Sequence, residues 1–329
     1  MNYLVEIGRR GSLALWLLAA AVSLALLFAV LWQVDWAAVS EMTRTASLPA
    51  VGVAFLCMTV AGLLTASRIQ LFTPNRPDFA TCLKVTAHYS VLLVLLPARL
   101  GEVGAVLLFR RYFRQRAGAA ILSVITQRLF DLAVVGAIFL LSGVMVLRLS
   151  TAIEAYALAA LLVTLLPLGL FYLDRPLGGL ARFLLRETRP KTRLRTRFVR
   201  LLLQARIWHR HGLSRRTLVY GIGLTAARWA FNLAGMALLF HALHLGLAPE
   251  ASLWAATAYN LLAVIPVQTI GGIGVSEAGL AGLLVLLGKP LALAAGASIL
   301  IRVALVLIPF LFWLLVLAAL QIGNRASMR

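Results

Sequence analysis

The sequence predicts an all-α, polytopic membrane protein: about six full spans plus two re-entrant helical hairpins in an inverted-topology repeat. Three observations lead there. The 329 residues are 62% hydrophobic and only 13% charged, where soluble domains carry roughly a quarter charged residues. The apolar runs are long and continuous, unlike the ~10-residue alternation of a β-barrel. Two of these runs break midway on proline, glycine and glutamate, and the two breaks resemble each other.

The formal net charge of +20 would suggest nucleic acid in a soluble protein. In this chain it marks cytoplasmic loops and contact with anionic lipid headgroups, and no nucleic-acid partner is expected. Cys57 and Cys82 stand apart, and the five histidines form no cluster, so neither a disulfide framework, a metal site nor a cofactor is expected.

Arg9 and Arg10 precede an apolar run over about 12–32. It exceeds the ~7–15 residues of a signal-peptide core and reads as an uncleaved first helix. A short polar loop with Asp35, Glu41 and Arg44 follows. The second span covers about 48–67 and ends at Arg68, which is placed to snorkel toward the interface. Residues 85–109 form the first broken segment, with Pro97, Arg99, Gly101, Glu102 and Gly104 at its centre. Its second arm is too short to cross a bilayer, which takes about 20 residues. Arg110, Arg111, Arg114 and Arg116 follow.

A long span over about 119–147 carries Arg128 and Asp131, three apart and so on one helix face, as for a local ion pair. Another span covers about 152–173. The polar segment 174–216 holds 13 Lys or Arg. Leu194, Phe198, Leu201, Ala205 and Trp208 recur within it at helical spacing, which predicts a basic amphipathic helix lying in the cytoplasmic interface. The span over 217–243 carries Arg228 and Asn232. The second broken segment, Tyr259 to Glu277, contains Pro266, Gly271, Gly272 and Gly274, and its return arm runs to about Gly288. A last span over about 290–320 carries Arg302.

With the N-terminus inside and both broken segments returning to the side they entered, the inside segments hold 24 Lys or Arg. The outside segments hold Arg44, Arg148 and Lys289, and four arginines lie at membrane depth. That bias sets the orientation, with both termini cytoplasmic. Treating 85–109 as one kinked span instead puts the basic 174–216 segment outside.

The chain reads as one transmembrane domain, 1–329, with repeat 1 at about 48–147 and repeat 2 at about 217–320. Leu-Thr-Ala-x-Arg occurs at 64–68 and again at 224–228. Tyr89 leads to Pro97 as Tyr259 leads to Pro266; each proline precedes glycine and then glutamate. Arg128 lies 26 residues after Glu102, and Arg302 lies 25 after Glu277. Because the two halves enter from opposite sides, the repeat is inverted. Many secondary transporters use that arrangement, with broken helices around a midplane site.

PARLGEVGAVLLFRRY and GGIGVSEAGL resemble the two signature regions of the flippase-like family, also called the lysylphosphatidylglycerol synthase transmembrane family. The resemblance covers nearly the whole chain. It implies a multi-pass protein of the bacterial inner membrane that handles lipids across the bilayer. In two-domain relatives aminoacyl transfer belongs to a soluble C-terminal domain; the chain stops at Arg329 without one, so no enzymatic activity is expected.

Charged side chains at membrane depth are costly and are functional candidates by default. Arg99, Glu102, Arg128, Asp131, Arg228, Asn232, Glu277 and Arg302 are therefore the expected substrate-binding set, with arginine forks suited to phosphate. Gln127 and Gln268 are further candidates at cavity depth. Pro97, Gly101, Gly104, Pro266, Gly271, Gly272 and Gly274 are the expected hinges and tips. The bland alternative pairs Arg128, Arg228 and Arg302 with Glu102, Asp131 and Glu277 as structural ties, makes each glutamate a helix-start acid, and makes Tyr89 and Tyr259 interface anchors. The expected function is lipid transport or scrambling by alternating access, with no P-loop to drive it. An intramembrane lipid-modifying enzyme and a scaffold for an envelope-biosynthesis complex are the alternatives. Membrane lipids are the expected partners, and oligomerisation is left open.

Overall fold

A computed structural model gives the fold. The structure describes residues 27–73, 76–95, 100–147, 152–172, 176–180, 193–212, 214–262 and 274–326, with Ala25 and Phe183. The described residues are mostly helical, with no strand among them. In chain order the helices are α1 (Trp36–Thr45), α2 (Leu48–Phe72), α3 (Phe79–Leu95), α4 (Leu100–Tyr112), α5 (Ala117–Leu147), α6 (Ala152–Phe171), α7 (Arg193–Gly212), α8 (Arg215–Ala242), α9 (Pro249–Leu262), α10 (Val275–Leu286) and α11 (Leu291–Ala326).

Four of these, α2, α5, α8 and α11, are long and apolar enough to cross a membrane. Their outward sides carry exposed leucine, isoleucine and valine, such as Leu56, Ile125, Leu132, Leu307 and Leu314, as suits helices solvated by lipid. The expected first span, 12–32, lies mostly outside the described residues.

Both broken segments fold as helical hairpins. The arms α3 and α4 lie against each other so that Tyr112, at the end of α4, returns to the start of α3. Its ring centroid is 6.1 Å from that of His88, and the Lys84 ammonium stands 5.6 Å from it. The two arms come close because Gly101 lacks a side chain. A Cβ there would sit 2.9 Å from the Leu93 Cα, closer than such atoms pack. Arms α9 and α10 also pack together, and Lys289 after α10 donates to the Gly246 carbonyl ahead of α9 at 3.4 Å. Gly274 opens α10 with φ +85°, a left-handed backbone that glycine alone adopts without steric cost. The tips themselves, including Pro97, Arg99, Pro266, Gln268, Gly271 and Gly272, lie outside the described residues.

Helices matched by the sequence repeat pack in matched pairs. The counterparts α2 and α8 lie side by side. Hairpin arm α3 packs on α11, and its counterpart α9 packs on α5. The return arm α4 packs on α5, as α10 does on α11. The main core fills the space between α8, α9, α10 and α11 with Leu233, Met236, Phe240, Leu280, Leu284 and Ile301.

Three expectations change. The polar stretch after the first span holds a helix, Trp36–Thr45, and is not only a loop: Asp35 caps α1 by accepting from the backbone of Ala37 and Ala38 at 3.0 and 3.2 Å. Val39 and Met42 of α1 then close over Gly296 of α11. The second span does not stop at 67; it continues to Phe72, which is fully buried. The basic helix α7 does not present the predicted stripe as its packed face. It docks on the start of α5, burying Val199, Ala205 and His209 and leaving Phe198 exposed, so its docked face is rotated from the stripe expected from sequence.

Candidate functional site

The site is built on the point where α2 and α8 cross. Thr65 and Arg68 on α2 stand one turn apart, and so do their repeat counterparts Thr225 and Arg228 on α8. Each arginine reaches the other helix's threonine. Arg68 donates to the Thr225 hydroxyl at 3.3 Å, and Arg228 donates through Nε to the Thr65 hydroxyl at 3.0 Å. Both threonines also donate to a carbonyl one turn back, Ala61 and Gly221, which fixes their rotamers. The two bonds are reciprocal, each running from one helix of the crossing to the other.

Asp131 of α5 fills the centre. Arg68 grips it through both terminal nitrogens, at 2.5 and 3.1 Å. Arg228 donates to it at 3.3 Å and the Trp229 indole at 2.9 Å. The side chains of Arg68 and Asp131 are 3% and 9% exposed, so this is a buried charge cluster rather than a surface tie. The guanidinium of Arg228 also lies 4.3 Å from the centre of the Trp229 ring, a cation–π distance.

Arg128 extends the cluster toward the first hairpin. Its Nε stands 3.1 Å from Glu102 on α4, and its other nitrogens reach Asp131 at 3.6 Å and the Tyr89 hydroxyl on α3. Three arginines thus face two carboxylates, for a net charge of +1 within the cluster. Beside them lies a cavity of about 40 Å³. Gln127 is on its wall, and so is Leu93 of the hairpin. That volume suits about one water and no lipid headgroup.

In the second repeat Arg302 of α11 stands 3.4 Å from Glu277 of α10. Glu277 is 4% exposed and also accepts from the backbone of Gly274 at 2.6 Å, so it serves both as helix-start acid and as ion-pair partner. The register Arg128–Glu102 is repeated as Arg302–Glu277, but Asp131 is not. Leu305 stands at its place.

The structure gathers Glu102, Arg128, Asp131 and Arg228 into one cluster and keeps Glu277 with Arg302 in a separate pair. Asn232 is half-buried and outside the cluster's hydrogen bonds. Gly104 is buried in the first hairpin. Arg68 does not snorkel: it holds the closest ion pair of the cluster. Nor is Asp131 chiefly a local partner of Arg128, since Arg68 takes it across 63 residues of chain. Tyr89 is no interface anchor but a partner of Arg128, and Tyr259 packs against the main core. Thr65, Thr225 and Trp229 were missed by reasoning from charge alone. The duplicated Leu-Thr-Ala-x-Arg held the signal for both threonines.

The chain matches the family described as Lysylphosphatidylglycerol synthase TM region over residues 16–312. No curated protein and no solved structure gave a significant match.

Proposed function

The chain belongs to the lysylphosphatidylglycerol synthase TM-region family, and from that premise we propose that it moves or scrambles a phosphate-bearing lipid across the membrane without modifying it. The lipid is a phospholipid or an isoprenoid-linked phosphate. The observation that carries this reading is the reciprocal Arg–Thr crossing around one buried carboxylate. It supports two inverted repeats that meet on a shared polar core, the arrangement in which alternating access is achieved by rocking one half on the other. The reading places both hairpins as re-entrant elements, with the basic segments and both termini on the cytoplasmic side of a bacterial inner membrane.

A lipid phosphate is chemically equivalent to the carboxylates already present: an anion with several acceptor oxygens, suited to bidentate guanidinium contacts. Arg128 and Arg228 form the looser, outer contacts of Asp131 and are free to turn to a phosphate while Arg68 stays paired. The described conformation is closed, since the cavity of about 40 Å³ admits no headgroup. Opening separates α4 from α5 at the Glu102–Arg128 tie, the more exposed of the two Glu–Arg pairs. The acyl chains stay in lipid throughout.

Reconstitution tests this. Vesicles containing the protein and a fluorescent phosphatidylglycerol are treated with a membrane-impermeant quencher. Protein-containing vesicles lose the protected inner-leaflet signal, and Arg128→Gln and Arg228→Gln slow that loss. A parallel arm uses a labelled polyprenyl phosphate. Rates equal to those of empty vesicles in both arms would refute transport; wild-type rates in both variants would refute the site.

A further inference from the structure

A second cavity, of about 730 Å³, lies away from the central cluster, between the end of α4, the start of α5 and the docked helix α7. Arg110, Arg116 and Arg200 line it, and none of the three has a carboxylate partner among the described residues. Gln115 lines it too. Both polar atoms of its side-chain amide are closed off from water, so it bounds the cavity without offering it a donor or acceptor. Across the cavity Gln204 accepts from the backbone of Gly118 at 3.1 Å, which ties α7 to the first turn of α5 and holds the walls in place. The first turn of α5 adds the positive end of its helix dipole.

Three guanidiniums without a carboxylate partner among the described residues and a helix start converge on one chemistry, a phosphate group. What distinguishes a lipid phosphate from free phosphate is the wall of α7. Leu203 and Ile207 follow Arg200 at i+3 and i+7, so they continue the same face, and both are exposed. An apolar strip leading away from the basic pocket suits an acyl chain and offers nothing to a free anion. We propose that this cavity binds the phosphate of an acidic phospholipid from the leaflet that the basic segments face, with the acyl chain along Leu203 and Ile207. The site is separate from the central cluster, and the inference does not rest on the transport reading.

Native mass spectrometry of the full-length chain in neutral detergent tests it, with phosphatidylglycerol, phosphatidylcholine or inorganic phosphate added. The expected result is one tightly held phosphatidylglycerol per chain, weakened at least about tenfold in Arg110→Gln/Arg200→Gln, as loss of two charge-assisted contacts implies. The charge-matched control Arg215→Gln/Arg216→Gln, outside the cavity, retains it. Equal binding of phosphatidylcholine, or retention of phosphatidylglycerol in the Arg110/Arg200 variant, would overturn the site. Inorganic phosphate raising the melting temperature as much as phosphatidylglycerol would overturn the lipid as its ligand.

Discussion

Asp131→Asn removes the one charge on which Arg68, Arg228, Arg128 and Trp229 converge. Shape is nearly unchanged, so the effect isolates electrostatics. The cluster's net charge rises from +1 to +2, and Arg68, 2% exposed, keeps its charge without a counter-ion. Removing one partner of a buried ion pair costs about 3–5 kcal/mol. With an unfolding entropy of ~2.1 cal/mol/K per residue, that corresponds to a melting temperature about 4–7 °C lower for a chain of this length. Intrinsic tryptophan fluorescence during thermal unfolding of the detergent-solubilised protein reads it, with Trp229 itself in the cluster. The double variant Asp131→Asn/Arg68→Met restores the net charge to +1 and removes the orphaned guanidinium, so it recovers most of the loss. A melting temperature within about 1 °C of wild type for Asp131→Asn, far below the buried-pair cost, would refute the account. A double variant worse than the single one would do the same.

Four further outcomes follow from the same geometry. Thr65→Val and Thr225→Val each remove one hydrogen bond to a guanidinium of the cluster, so each lowers stability by about 1.5–3 kcal/mol in thermal unfolding; a loss confined to one of them would contradict the reciprocal crossing. Glu277→Gln lowers the melting temperature more than Glu102→Gln, because Glu277 is 5% exposed at the side chain against 27% for Glu102 and also holds the Gly274 backbone. Gly274→Ala costs about 1–3 kcal/mol through its positive φ alone, measurable in the same assay. Outside the membrane, the Thr81 backbone N–H holds the Asp78 carboxyl below its ordinary value of 3.8. Its contribution to stability is therefore full above that pH and lost as pH falls through the lowered value; Asp78→Asn removes that part of the acid dependence of the melting temperature.

Much of the fold was legible because the bilayer makes hydropathy and breaks informative. The two hairpins followed from glycine, proline and glutamate interrupting runs too short to span, and the Glu–Arg spacing in each repeat anticipated both ion pairs. Other features were hidden for identifiable reasons. Hydropathy ends a helix at its first charge, so Arg68 was assigned to the interface, although α2 runs another turn and buries it. A carboxylate flanked by arginine at i−3 invites a local pair; only the crossing of α2 and α8 brings a closer guanidinium from 63 residues away. Helix α1 escaped notice because its apolar side is only Val39 and Met42 against Gly296. The docked face of α7 depends on Gly118, whose missing side chain lets the Leu201 backbone come close, and no pattern within α7 reveals that.

Asp131 has a consequence for how such an arrangement can be encoded. Two identical half-chains related by a two-fold axis would bring either two carboxylates or none to the crossing of α2 and α8. Two would leave the arginines facing mutual carboxylate repulsion in a space of about 40 Å³, and none would bury bare guanidinium groups. A single acid shared by two equivalent arginines requires the halves to differ, as Asp131 and Leu305 do. Joining both halves in one polypeptide makes that inequality heritable: the central charge balance belongs to the fused chain and cannot be assembled from two copies of either half.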